Sequence, residues 1–287
     1  MPHTRISDAA GHEWRNGLDV YATMAPAFRE NLGPAEEVEG LLAKYWLRSL
    51  HLDPDTTRRI DHIRTDPGYQ DLSCAFHDSV EECLVLSGSL YIDGEGELVA
   101  GDYFWRPPGF SHSARSEEGF EALLMMEGRV EEEGSGPVSR VITPMDDAGR
   151  NLLRPDSSVD AAEWEAAIGP RGWVRRCPSG LLPWQQVPDG ILPSAVPGAS
   201  ARVLSRNVVT GAVSALVRLD AGYRADAAPS PRDRYLVVVE GAVTVDGRDL
   251  RPCSLVSVPA HTPAPAIASG AGAVLFAKTT AERGEEH

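Results

Sequence analysis

Apolar residues fall at helical spacing in one early stretch, where Val38, Leu41, Leu42, Tyr45, Trp46 and Leu50 follow Pro34 and the acids Glu36 and Glu37. Proline suits a first helical turn and acids favour its N-terminal end, so the pattern predicts an amphipathic helix over residues 35–50. Its expected place is over the outside of a sheet or in a subunit contact, so a homodimer is among the expectations. From Arg59 the period shortens to two, and apolar runs at residues 60–64, 71–76, 82–86, 89–92, 97–100, 103–106 and 121–126 are separated by turn residues. Asp93-Gly94 is the tightest hairpin signal among them. Short strands in succession with no helix between them predict an all-β sandwich or barrel.

The alternation stops at Gly128. Glu131-Glu132-Glu133-Gly134 opens a Pro-rich segment carrying Trp164, Trp173 and Trp184, long for an unstructured loop inside one domain, and it is expected to connect two domains with a short helix over residues 161–167. Strand patterning resumes at Ala201, and this second block echoes the first. At an offset of 153, Ala75, His77, Glu81 and Gly88 become Ala228, Ser230, Arg234 and Gly241, and Asp93-Gly94 becomes Asp246-Gly247. At an offset of 152, Gly101, Pro107 and His112 become Cys253, Pro259 and Ala264. Turn residues persist in the second copy while the ionisable ones change. The expected division is therefore an arm and helix (1–58), a first barrel (59–130), a connecting segment (131–200) and a second barrel (201–280).

Composition narrows the partners. The 287 residues suit two domains, and a net charge of −15, from 42 acidic against 27 basic residues, repels phosphate backbones. No nucleic-acid partner is expected. There is no apolar run near the length of a membrane span and no apolar core of a signal peptide at the N-terminus, so no membrane partner and a cytoplasmic location are expected. Cys74, Cys83, Cys177 and Cys253 lack zinc-type spacing and are read as reduced thiols.

The candidate chemistry lies between Ala75 and Ser116. Residues of like parity share a strand face, so His77 and Glu81 can point into a barrel toward His112 from another strand, and two imidazoles with a carboxylate are metal-ligand chemistry. Cys83 shares the parity of Glu81, whereas Glu82 faces the other way. His62, Cys83, Tyr103 and Trp105 are the candidate pocket residues, His62 as a substitute fourth ligand and the aromatics as a wall for a planar substrate.

These blocks resemble the paired motifs of the cupin superfamily. Gly101, Pro107, Gly109 and His112 match the second motif, with Ser116 in the place of its Asn. His77, Glu81 and Gly88 match the first motif, with Ala75 in the place of its first His and Tyr69 in that of its leading Gly. Glu81-Glu82 before Leu84-Val85-Leu86 and Pro107-Pro108-Gly109 before His112 are most similar to the anti-sigma-factor (ChrR-like) cupins, whose relatives include diketone and dihydroxyacetophenone dioxygenases. The resemblance implies two double-stranded β-helix (jelly-roll) barrels with an N-terminal helix. It also implies one divalent metal (Fe, or Zn, Mn or Ni) in the first barrel on His77, Glu81 and His112, which would also be the catalytic residues. Arg234 puts a cation where the second barrel would hold its metal, so that barrel is expected to be metal-free.

The function expected on this basis is a metal-dependent enzyme of the non-haem Fe(II) dioxygenase type, acting on an enolisable dicarbonyl or aromatic small molecule. The alternatives are a metal-dependent cyclase, isomerase or hydrolase of secondary metabolism, and a non-catalytic ligand-binding or sensor cupin.

Overall fold

The computed structural model describes residues 3–24, 26, 29, 35–53, 58–75, 79–93, 95–107, 112–127, 171–192 and 196–282, with the backbone alone described at 72–75. The chain divides into two compact units, one formed by Glu13–Pro178 and the other by Met1–His12 together with Ser179–His287. In chain order the strands are β1 (Arg5–Ser7), β2 (Arg15–Asn16), β3 (Tyr45–Leu52), β4 (Arg59–Thr65), β5 (Tyr69–Ala75), β6 (Val80–Ile92), β7 (Gly96–Val99), β8 (Asp102–Arg106), β9 (His112–Ser116), β10 (Phe120–Glu127) and β11 (Val174–Pro178). They continue with β12 (Ala199–Arg206), β13 (Val213–Leu219), β14 (Tyr223–Ala225), β15 (Arg232–Gly241), β16 (Val243–Val245), β17 (Arg248–Leu250), β18 (Leu255–Val258), β19 (Ile267–Ser269) and β20 (Ala273–Glu282). The short helices α1 (Gly17–Thr23) and α2 (Ala35–Leu42) precede β3. Among the described residues no helix is long and apolar enough to cross a membrane.

Both units use one plan of two antiparallel sheets. In the first unit the order β8-β6-β10-β4-β3 forms one sheet, and β5, β9, the far half of β6 and β7 form the other. In the second unit β18-β15-β20-β13-β12 and β14-β19-β16-β17 repeat it. The fold is thus all-β and of the two-barrel kind expected. The β8 edge is extended by β11, which comes from downstream, and the equivalent β18 edge by β1, which comes from the start of the chain. β11 and the 178/179 division both fall inside the segment expected to connect the barrels, whose expected helix at 161–167 lies outside the described residues.

The predicted helix over 35–50 is shorter. It ends at Leu42, and Tyr45–Leu52 is a strand paired with β4. A spacing of four is even, so Val38, Leu42, Trp46 and Leu50 satisfy a helical stripe and a strand face equally well. Pairing with β4 decides between them, and it places Tyr45 and Leu47 against the first barrel's core of Ile63, Cys83, Val85, Leu98, Phe104 and Phe120.

Positive φ angles mark the repeat. Gly88 and Gly241 sit at +72° and +74°, and an added Cβ would lie 2.2 Å from the Gly119 carbonyl oxygen in the first barrel and 2.5 Å from that of Gly272 in the second. At this bend β6 passes from one sheet to the other as a single strand, where the sequence pattern predicts two. Cys253, at φ +65°, occupies the position of Gly101 at +88°. The leading glycine of the first motif is Gly68, the counterpart of Gly222, and each is followed by a tyrosine that pairs with a serine (Tyr69 with Ser116, Tyr223 with Ser269). The assignment of that place to Tyr69 is therefore corrected by one residue, and a register shift between Asp71 and Ala75 accommodates the extra length.

Candidate functional site

The inner face of the first barrel is set by cross-strand pairing. Glu81 on β6 lies opposite Arg106 on β8, and side chains of directly opposed residues share a face. Arg106 donates from Nη1 to Glu81 Oε2 at 2.7 Å and from Nη2 to Glu95 Oε1 at 2.6 Å, and it is only 2% exposed. His112, at the start of β9, brings Nε2 to 3.4 Å from the same Glu81 oxygen. Carboxylate, imidazole and guanidinium therefore meet at one buried point.

The charges there are coupled. Burial works against the charge of Arg106, but Glu81 and Glu95 outweigh it and raise the guanidinium's pKa above its ordinary value. Burial raises the pKa of Glu95, with Arg106 pulling the other way, and Glu95 Oε2 has no hydrogen-bond partner among the described residues. Cys83 shares this face, and burial followed by the Glu81 charge pushes its thiol far above the usual range, so it stays protonated. Asp61 lies on the same face of β4, its pKa raised by burial and opposed by Arg59 at 3.4 Å and by Ser49.

Three candidate pocket residues lie on the opposite face. Leu84 opposes Tyr103, Glu82 opposes Trp105, and Leu123 opposes both Leu84 and His62, so His62, Tyr103 and Trp105 point away from Glu81. Tyr103 donates its hydroxyl to Glu82 Oε1 at 2.6 Å, two fully buried groups satisfying each other. His62 accepts at Nδ1 from Arg48 Nε at 3.0 Å, contacts Glu121 through Nε2 at 3.2 Å, and has its ring 4.7 Å from that of Trp14. With its Nδ1 lone pair engaged and its face turned outward, His62 is not a fourth ligand. The parity that puts Cys83 inward is the reason these residues are excluded.

His77 lies outside the described residues, and β5 is described through the backbone pairing of Ala75 with His112. Among the described residues no group of three His, Cys, Asp or Glu side chains is placed to hold a metal ion. The described pair does fit one. Two ligands each about 2.1 Å from a metal stand roughly 3.0 to 3.4 Å apart in octahedral or tetrahedral geometry, and Glu81 and His112 stand at 3.4 Å. A carboxylate offers about four lone-pair sites, so the bond from Arg106 leaves Glu81 capable of ligation. Arg106 is not among the residues singled out from the sequence, although its parity matches Phe104 and its partner strand carries Glu81. The sequence gave no signal for Glu95, which lies in the turn after Asp93-Gly94 and reaches the site only through the fold.

Residues 39–131 match the family model of the ChrR cupin-like domain. No curated protein matches the sequence significantly. Solved structures share the fold at low identity. One is a putative dioxygenase from Nostoc punctiforme PCC 73102, with a TM-score of 0.65 and 14% identity over 98% of this chain and 84% of that one. Another is the putative glyoxylate-induced protein of Pseudomonas aeruginosa, with a TM-score of 0.56 and 13% identity over 85% and 82%. A third is the Escherichia coli pirin YhhW in complex with nickel(II), with a TM-score of 0.52 and 11% identity over 98% and 100%.

Proposed function

We propose that the first barrel is the active site of a metal-dependent enzyme of the dioxygenase type, acting on a small enolisable dicarbonyl or dihydroxyaryl ketone. The observation that carries this reading is the buried contact of Glu81 with His112, in a chain whose matched domain is cupin-like. Glu81, His112 and His77 would hold the metal, and Ala75 contributes no donor at the place of a fourth ligand. When bound, the metal supplies Lewis acidity and, as Fe(II), the redox capacity that oxygen insertion requires.

The surrounding residues select the substrate's charge. Glu81 and Glu95 carry two negative charges and Arg106 one positive, so a divalent cation leaves a single positive charge on the cluster. One monoanion cancels it, which matches an enolate or phenolate formed by loss of one proton better than a dicarboxylate. Arg106 fixes Glu81 in one orientation, and the apolar wall of Cys83, Phe104 and Leu124 excludes water from the bound substrate.

The test is metal analysis of the purified protein with oxygen uptake over a panel of β-dicarbonyls and dihydroxyaryl ketones. The proposal expects about one metal per chain and metal-dependent oxygen consumption with at least one monoanionic substrate. Conversion of a substrate without oxygen uptake replaces the dioxygenase with a Lewis-acid cyclase, isomerase or hydrolase. A chain that binds no Fe, Ni, Mn or Zn and converts nothing overturns the enzyme reading in favour of a sensor.

A further inference from the structure

The repeat transposes a charge. Where the first barrel sets Glu81 on β6 against Arg106 on β8, the second sets Arg234 on β15 against Val258 on β18. The guanidinium has moved to the other strand and the carboxylate has not moved with it. Arg234 is 1% exposed, among the least accessible large side chains of the chain. It donates from Nη2 to the Ala228 carbonyl at 2.9 Å, and its Nε has no hydrogen-bond partner among the described residues. Burial lowers its pKa to about 10, still well above neutrality, so the group is a buried cation, and among the described residues no carboxylate pairs with it.

A buried, uncompensated charge is expensive to maintain unless something else completes it. Its neighbours indicate what that would be. Thr279 on β20 directly opposes Arg234 and shares its face. Its Oγ1 accepts from the Val213 amide at 3.1 Å, and no described acceptor takes its hydroxyl proton. The walls are apolar and small: Val258 opposite, Leu236 two residues along, and Ala264 where the first barrel has His112. A guanidinium fork and a hydroxyl within an aliphatic wall fit a planar anion with a short apolar tail.

We propose that the interior of the second barrel is a binding site for a small monocarboxylate, whose carboxylate group is held by the Arg234 guanidinium with Thr279 as an auxiliary donor. The site is separate from the candidate metal centre, and this inference does not depend on whether the first barrel is an enzyme.

The test uses the full chain, labelled with ¹⁵N-arginine and titrated with acetate and with propionate against chloride at equal ionic strength. One arginine Nε–H resonance, absent from Arg234→Met, should move saturably with the carboxylates and stay in place with chloride. The melting temperature should rise with carboxylate in the wild type and not in Arg234→Met. Without carboxylate that variant should melt above the wild type, because it removes an unpaired buried cation. Val258→Glu should rebuild inside the second barrel the ion pair that Glu81 and Arg106 make in the first, and so weaken external carboxylate binding by at least about tenfold while keeping the arginine. An Nε–H resonance indifferent to both carboxylates overturns the proposal, as does carboxylate stabilisation persisting in Arg234→Met. So does an Arg234→Met protein that melts below the wild type, which would make the guanidinium a structural group.

Discussion

Arg106 reaches from β8 to Glu81 on β6, Nη1 to Oε2 at 2.7 Å, and with its other terminal nitrogen holds Glu95 at 2.6 Å. The pair is the electrostatic centre of the first barrel, because removing the guanidinium leaves two buried carboxylates facing each other. Arg106→Met should destabilise the protein by about 3–5 kcal/mol in urea unfolding, the usual cost of breaking a buried pair from one side. Arg106→Lys, a point charge without the fork, should fall between the two. A methionine variant as stable as the wild type would mean that the carboxylates are not both charged in the folded state.

His112→Ala and His77→Ala should each abolish metal retention, measured as metal per chain after purification under identical conditions. Ser230→Ala and Arg234→Met, at the second-barrel counterparts of His77 and Glu81, should leave metal content unchanged. Metal kept by both histidine variants would remove the assignment of the centre to these residues.

Ala75→His tests whether the missing donor is an open catalytic position. An added imidazole should tighten metal binding and lower turnover, since it takes a position that substrate or oxygen needs. Tighter binding with unchanged turnover would show that the position is not used in the reaction.

His62 should titrate far from its ordinary value. Burial and then the Arg48 charge depress it to about 4 in the folded protein, against about 6.5 unfolded. Its contribution to stability is therefore complete above about pH 6.5 and is lost as the pH falls toward 4, up to roughly 3 kcal/mol for a shift of this size. The raised Asp61 and Glu95 act in the opposite sense, holding protons more tightly when folded. An NMR titration should find the His62 imidazole neutral at pH 5.5, and a midpoint near 6.5 would refute its burial in this network.

Gly88→Ala and Gly241→Ala should each destabilise the barrel that contains them. The new methyl would press on a carbonyl oxygen at 2.2 Å in one case and 2.5 Å in the other, at a backbone angle that L side chains rarely adopt. A cost of about 1–3 kcal/mol for the backbone conformation alone is expected in chemical denaturation. A tolerated substitution at both would refute the equivalence of the two bends.

The strand pattern and the repeat were legible because a period of two and positive-φ turns are local properties that survive when ligands change. The parity of Glu81, Cys83 and Glu82 could be read for the same reason. The aromatic wall was misread because Tyr103, Phe104 and Trp105 are all buried, so apolar content alone does not say which face of β8 looks inward. The strand at Tyr45 was hidden by a spacing that serves both periods. Glu95 could not be seen at all, since only the fold of the turn carries it back to Arg106.

The edge strand of the second barrel comes from the opposite end of the chain, with Arg5 pairing with Ser257 and Ser7 with Leu255. Synthesis therefore delivers β1 before anything it can pair with exists. At about 5–20 residues per second, roughly ten to fifty seconds pass before β18 emerges. During that interval Glu13–Pro178 is made in full and can fold as one uninterrupted segment, while the arm ahead of it remains an unpaired strand. The second barrel has the reverse history, since all its later strands are local to one another and its final edge must be closed by a segment already long out of the ribosome. An exposed strand edge is a template for pairing with other chains. Timing as well as sequence thus decides which strand β18 meets first, and the early arm, tethered to the same chain, holds the advantage of proximity over any strand arriving from another molecule.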